Sequence, residues 1–323
     1  MTEFSTPRVT VIPPMPPPAR RLRNLAQQLL KAGPKPAQRA IQEGEIHVNG
    51  RPCLQADVEL KVGDVVELVR NPREETPLRE NSDVDVVIRF DDEAIVVVEK
   101  PAGWLTVPTP YKEKSTLLSE LQRRFADDQQ TQQICCVHRL DRGVSGLLVF
   151  AKSVDVAMLL RDQFAARKPR RRYTAYVQGS LDAATGTFRS YLASDERHMR
   201  FSVDSEEEGE LAITHYELVE RIGDVSVVDV RLETGRRNQI RVHFSEAGHP
   251  IVGDRRYHGN VVPHRLWRHR RIALHARELG LNHPVTGKSL AFESEIPPEM
   301  REFLERLHGP RGGNPRRGKR RRK

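Results

Sequence analysis

Val84-Asp85-Val86-Val87-Ile88-Arg89-Phe90 and Ala94-Ile95-Val96-Val97-Val98-Glu99 are two runs rich in β-branched residues, parted by Asp91-Asp92. Branched side chains are stiff at χ1 and suit a pleated surface, so an acidic pair between two such runs reads as a turn between strands. Outward from this hairpin the same pattern recurs at residues 146–151, 174–179, 214–219 and 226–232. Helical spacing interrupts it at 116–125 and 154–164. Strands joined by hairpins, with scattered helices, predict an α+β domain over residues 84–307: a mixed, mostly antiparallel β-sheet with peripheral helices.

The chain has 323 residues, room for two or three domains, and 37% of them are apolar, ordinary for a globular protein. The longest apolar runs, 95–98 and 144–151, fall far short of the roughly 18 residues a membrane span needs. The start carries Pro13, Pro14, Pro16, Pro17 and Pro18 where a signal peptide would need its apolar segment. A cytoplasmic protein without a membrane partner is expected. The three cysteines, Cys53, Cys135 and Cys136, read as reduced core residues; a metal site of Cys135, Cys136 and His138 is the weaker alternative, since no second ligand cluster accompanies it.

The net charge of +9 is unevenly spread. Residues 4–42 hold seven basic side chains and residues 309–323 hold eight, neither stretch with a carboxylate, so the rest of the chain is net acidic. Basic extremities are the footprint of a polyanion binder.

After a proline-rich extension (1–18), Leu22, Leu25, Ala26, Leu29 and Leu30 recur at helical spacing, and a short second helix (36–42) brings Lys35 and Arg39 to one face. Ile46-His47-Val48-Asn49-Gly50 is a strand running into a hairpin turn, and Leu60-Lys61-Val62-Gly63-Asp64 leads into another strand at 65–69. This stretch resembles the small RNA-binding domain of ribosomal protein S-four. The resemblance implies an α+β RNA-binding module over 19–70, with Lys35 and Arg39 toward RNA, although Pro34-Lys35-Pro36 stands where that family opens its second helix with serine-arginine-serine. A linker, 71–83, and a basic disordered tail, 308–323, flank the large domain.

Three segments of that domain carry chemistry. In Val137-His138-Arg139-Leu140-Asp141-Arg142-Gly143-Val144-Ser145-Gly146 a carboxylate lies between two arginines, which favour the ionised form a nucleophile needs. In isolation such a pair is more often structural. Residues 167–179 place five cations before Tyr173, and strand alternation sends Tyr173 and Tyr176 to opposite faces, so only one can face a site. Thr234-Gly235-Arg236-Arg237-Asn238-Gln239-Ile240-Arg241 puts three arginines after a strand end, suited to phosphate or to a carboxylate.

Together the motifs resemble those of the RluA-like RNA pseudouridine synthases. The family's opening signature stands at Val98-Glu99-Lys100-Pro101-Ala102-Gly103, and the next at residues 138–146, 173–179 and 234–243. The last stands at Ala273-Leu274-His275-Ala276 and His283-Pro284-Val285-Thr286-Gly287. The resemblance implies isomerisation of uridines in ribosomal or transfer RNA; the added N-terminal module and basic tail favour large-subunit ribosomal RNA, and a monomer is expected. The resemblance also implies that Asp141 is the nucleophile, attacking either the ribose anomeric carbon or the uracil ring. It implies that Tyr173 packs on the base and assists proton transfer, that Arg241 pairs with Asp141, and that Arg139 wedges into the RNA as the uridine flips out. Arg142 and Arg236 join Arg139, Lys35 and Arg39 as expected RNA contacts. An internal rearrangement needs no cofactor or metal, and none is expected.

Gly143, Val144, Arg237 and Asn238 depart from the family's usual residues, away from the proposed chemistry. Two other readings share the scaffold: an inactive RNA-binding or ribosome-assembly factor, and a glycosylase in which water finishes the reaction.

Overall fold

The structure is a computed structural model. It describes residues 10–11, 21–30, 33–42, 46–49, 51–53, 55–68, 86–109, 113, 115–128, 131, 133–195, 199–258 and 261–308. The chain divides into two compact units, Met1–Asp83 and Val84–Lys323.

In the first unit β1 (Thr10–Val11), α1 (Leu22–Leu30), α2 (Pro34–Gln42), β2 (Ile46–Val48), β3 (Arg51–Pro52) and β4 (Val65–Leu68) follow in order. The four strands form one sheet, β1-β4-β2-β3. Leu22, Leu25, Ala26, Ala37, Ile41, Ile46, Leu60, Val66 and Leu68 make its core. The two hairpin motifs clasp each other. Asn49, with φ +54°, accepts from the Val65 amide through Oδ1 and donates through Nδ2 to Asp64 (both 2.9 Å), and Asp64 also takes the Lys61 amide (2.7 Å). Asparagine tolerates that left-handed backbone better than most residues. Two boundaries shift: α2 opens at Pro34, taking Lys35 into the helix, and Thr10–Val11, read as extension, pairs with β4.

The second unit runs β5 (Val87–Asp91), β6 (Ile95–Lys100), α3 (Leu117–Arg124), β7 (Cys135–Cys136), β8 (Ser145–Ala151), α4 (Val154–Ala165), β9 (Arg170–Gln178), β10 (Thr185–Ser194), β11 (Arg200–Val203), β12 (Glu210–Ile222), β13 (Val225–Leu232), α5 (Gln239–Glu246), β14 (Leu274–Asn282), β15 (Ser289–Glu293) and α6 (Pro298–His308). Its 11-stranded sheet has the order β11-β10-β12-β13-β9-β14-β8-β6-β5, with β15 beside β14 and β7 beside β8. The pairing of β14 with β8 is parallel and the others are antiparallel. This is the mixed α+β architecture the sequence predicts. β8, buried at all seven positions, lies between β14 and β6 near the middle of the sheet, so what precedes it is carried on rigid backbone.

Helix α3 begins where Thr116 and Ser119 cap each other, and Ser153 caps α4. One further expectation is corrected by the fold. The cysteines are free but half-buried rather than core. Residues 204–209 form the turn into β12, and Glu210 at the start of that strand is engaged by Arg200 and Arg236 (2.7 and 2.9 Å). Among the described residues no group of His, Cys, Asp or Glu side chains is placed to hold a metal, so Cys135, Cys136 and His138 form no such site. Also among them, no helix is long and apolar enough to cross a membrane. The linker (71–83) and the tail from residue 309 lie outside the described residues.

Candidate active site

Asp141 stands in the loop that leads into β8, and the backbone around it is tied down on every side. Thr106 Oγ1 donates to the Leu140 carbonyl (2.9 Å) and accepts from the Leu140 amide (3.2 Å). The Arg142 carbonyl accepts from the Gly103 amide (2.7 Å), and the Gly143 carbonyl from the Ile272 amide (3.0 Å). Lys100 lies buried beneath the loop and directs its three protons at the carbonyls of Pro101, Trp104 and Arg142 (3.0, 2.7 and 3.3 Å). Burial pulls its pKa from 10.5 down to about 7, and Asp141 works against that pull. The lysine of the Lys-Pro-Ala-Gly motif is thus the loop's internal anchor. Gly146, at φ +119°, allows β8 to lie against β14, because a Cβ there would overlap the Ala276 carbonyl. Ser145 next to it accepts from Arg271 Nη2 (2.6 Å) and bonds His275 Nδ1 (2.8 Å).

Opposite the loop, the turn after β13 is set by buried Gln239. Its Oε1 accepts from Thr234 Oγ1 (2.8 Å) and the Arg236 amide (2.9 Å), and its Nε2 donates to the Ile213 carbonyl (3.0 Å) and Thr214 (2.9 Å). Asn238 enters α5 in a left-handed conformation, φ +58°. One turn on, Arg241 Nη1 donates to Asp141 Oδ2 (2.8 Å) and to Asn238 Oδ1 (3.1 Å). Its Nε and Nη2 hold Asp254 in a bidentate pair (2.6 and 3.0 Å), and its guanidinium lies 4.8 Å over the Tyr257 ring. Burial lowers the Arg241 pKa, but Asp254 and Asp141 outweigh it and leave the group more firmly charged than usual. Asp254 in turn accepts the amides of Arg256 and Tyr257 (2.9 and 3.0 Å).

Tyr173, on β9, is 7% exposed and lines the same cleft. Burial raises its phenol above the usual 10; Arg171 opposes this and Asp141 adds to it, so the hydroxyl is protonated at neutral pH. Tyr176 points to the other face and packs on Phe303 (6.2 Å). Loop, strand and turn enclose about 510 Å³, bordered also by Phe164 and Arg167 at the end of α4. That is ample for one nucleotide.

Five of the predicted residues meet in this cleft: Asp141, Tyr173, Arg241, Arg139 and Arg236. Arg139 is exposed, as a residue meeting RNA must be. Arg236 is partly committed, donating to Glu210 (2.9 Å) and the Leu211 carbonyl (3.0 Å). Arg142 is not in the lining; its Nε donates to the Gly103 carbonyl (3.1 Å), a loop-fixing contact. Lys35 is exposed on α2 of the first unit, and the Arg39 side chain lies outside the described residues. Asp254, Asn238, Lys100 and Arg171 stand within or beside the motifs, yet sequence alone assigns them no role. For Asp254 and Lys100 no spacing rule exists, since the partners that tie them to the site, Arg241 and the Arg142 carbonyl, lie 13 and 42 positions away.

The model of the RNA pseudouridylate synthase family matches residues 94–246. An uncharacterised RNA pseudouridine synthase of Bacillus subtilis is 33% identical over 274 residues, 84% of this chain and 88% of that protein. The ribosomal large subunit pseudouridine synthase D of Pseudomonas aeruginosa is 35% identical over 240 residues, 71% of this chain and 74% of its own length. Among solved structures, human RNA pseudouridylate synthase domain containing 4 superposes with a TM-score of 0.58 over 69% of this chain and 93% of its own, at 21% identity, a likeness of fold.

Proposed function

The chain belongs to the RNA pseudouridine synthase family, and from that premise we propose that it isomerises uridines of large-subunit ribosomal RNA with Asp141 as nucleophile. The observation that carries the assignment is the Arg241–Asp141 pair at 2.8 Å in the floor of a nucleotide-sized cleft. Arg241 holds Asp141 Oδ2, while Oδ1 takes no hydrogen bond among the described residues and is left for the substrate. The C1′–N1 bond of the uridine breaks, a C1′–C5 bond forms, the C5 proton leaves and N1 gains one. Atoms balance with no outside reactant.

A stacked base cannot reach this floor, so the nucleotide must flip out, a cost of a few kcal/mol. Exposed Arg139, at the rim, fills the gap that the base leaves. The Tyr173 ring then backs the uracil, and its protonated hydroxyl enters the reaction as a donor. The relatives named for the large ribosomal subunit support ribosomal RNA as the substrate. The first unit, its basic α2 carrying Lys35 and Arg39, serves as an S-four-type RNA-binding module, and the protein acts as a cytoplasmic monomer.

Product analysis tests this reading. Ribosomal RNA from cells lacking the gene, incubated with the purified chain, should gain pseudouridine at specific positions. Free uracil would indicate a glycosylase, and unchanged RNA an inactive binding protein.

A further inference from the structure

Arg171 sits two residues before Tyr173 on β9, on the same face, and borders the same cleft. It is 7% exposed. Its guanidinium makes no ion pair or hydrogen bond among the described residues, and the buried Nε stands without a partner. The cleft's other arginines are matched differently: Arg167 bonds Glu233, Arg236 bonds Glu210, Arg241 bonds Asp141 and Asp254, and exposed Arg237 reaches Ser194 Oγ (3.4 Å). Arg139 is exposed and solvated. What surrounds Arg171 is the Phe164 ring, 5.4 Å from its Cζ, and the backbone of Gly235, where any Cβ would overlap Nη1. Burial pushes its pKa down, with only the Tyr173 phenol opposing. A buried charge is retained at such cost only where an opposite charge completes it.

We propose that Arg171 binds a backbone phosphate flanking the flipped uridine. The strand fixes the geometry: side chains two residues apart on one face stand about 7 Å apart, comparable with the separation of a base from its own phosphate, so a uracil on Tyr173 brings a phosphate toward Arg171. A uracil carbonyl would also accept from it but would leave the cation uncompensated, whereas phosphate supplies both charge and a bidentate acceptor. Gly235 then has a specific purpose, leaving room for the guanidinium beside the ligand. The assignment rests on the family reading of the cleft, and it adds a binding contact that the catalytic residues do not provide.

The test is thermal unfolding of the full chain at fixed ionic strength with uridine, uridine 3′-monophosphate, uridine 5′-monophosphate or inorganic phosphate. The wild type should be stabilised saturably by one monophosphate well beyond uridine. Arg171→Met should melt no lower than wild type without ligand, because an uncompensated buried cation is gone, yet bind that monophosphate on the order of tenfold or more weakly. Arg171→Lys, which keeps the charge but not the fork, should retain part of the preference and serves in its place if the methionine variant does not fold. Equal stabilisation of the wild type by nucleoside and nucleotides, or an undiminished preference in either variant, would overturn the proposal. A chain that makes pseudouridine in RNA but shows no phosphate preference refutes the Arg171 assignment alone. One that shows the preference but makes none refutes only the family-based reading.

Discussion

Arg241 joins two carboxylates that differ in everything else. Asp254 has no exposed side-chain surface and accepts four bonds: two from Arg241 and the amides of Arg256 and Tyr257. Asp141 retains 19% of its side-chain surface and accepts one bond from Arg241. The same residue type is thus a structural post at one site and a candidate nucleophile at the other, depending on how many of its lone pairs the fold has used. Rigidity is still shared, because the Asp254 turn fixes Arg241 and Arg241 fixes Asp141.

The sharpest way to break the comparison is to remove the shared partner. Arg241→Met should reduce turnover on the order of 1,000-fold or more, since the nucleophile loses its positioning cation. It should also cost about 3–5 kcal/mol of stability, because Asp254 is left charged and buried. A variant that melts like wild type would show that Asp254 has another partner. Tyr173→Phe comes next: it should bind RNA normally and lose on the order of 100-fold in single-turnover rate, whereas Tyr176→Phe, on the opposite face against Phe303, should lose little. If Tyr176→Phe were the crippled variant, the assignment of the cleft face of β9 would be wrong.

A smaller effect separates the site from its support. Buried His243 and His275 are held neutral, burial lowering both to about 4 from 6.5. The unfolded chain therefore binds more protons between pH 6.5 and 4. Stability is complete above pH 6.5 and falls with acid, by about 1.4 kcal/mol per pH unit for each group at most. Urea midpoints at pH 7 and 5 check this, and coincident midpoints would contradict it. The smallest effect concerns the first unit: deletion of residues 1–70 should flatten the salt dependence of RNA binding, by about 0.7 to 0.9 in log–log slope for each phosphate that the shortened protein no longer neutralises, and leave cleft chemistry in place. An unchanged slope would show that this unit does not touch phosphate.

What could be read from sequence follows the periodicities. The hairpin β5–β6 and strands β8, β9 and β13 were legible because branched runs end at turns, and α3 because its apolar stripe is one-sided; α4 showed through helical spacing although Val154, Met158 and Leu159 are exposed. Helix α5 was not. Its residues Gln239 to Phe244 are buried all round, and Ile240, Val242 and Phe244 alternate as in a strand, so no helical stripe exists to be seen. Strand β10, exposed or half-buried except at Leu192, offered no apolar run. In the site, Asp141, Tyr173 and Arg241 were legible through motifs. Asp254 and Arg171 were not, because the meaning of each lies in a set of partners that only the folded chain supplies.

The most direct measurement compares Asp141→Asn with Asp254→Asn on one RNA, following pseudouridine formation in single turnover and unfolding in parallel. Asp141→Asn is expected to abolish turnover while melting within a few degrees of wild type. Asp254→Asn is expected to melt substantially lower while retaining measurable turnover. Turnover by Asp141→Asn within tenfold of wild type would contradict its role as the nucleophile.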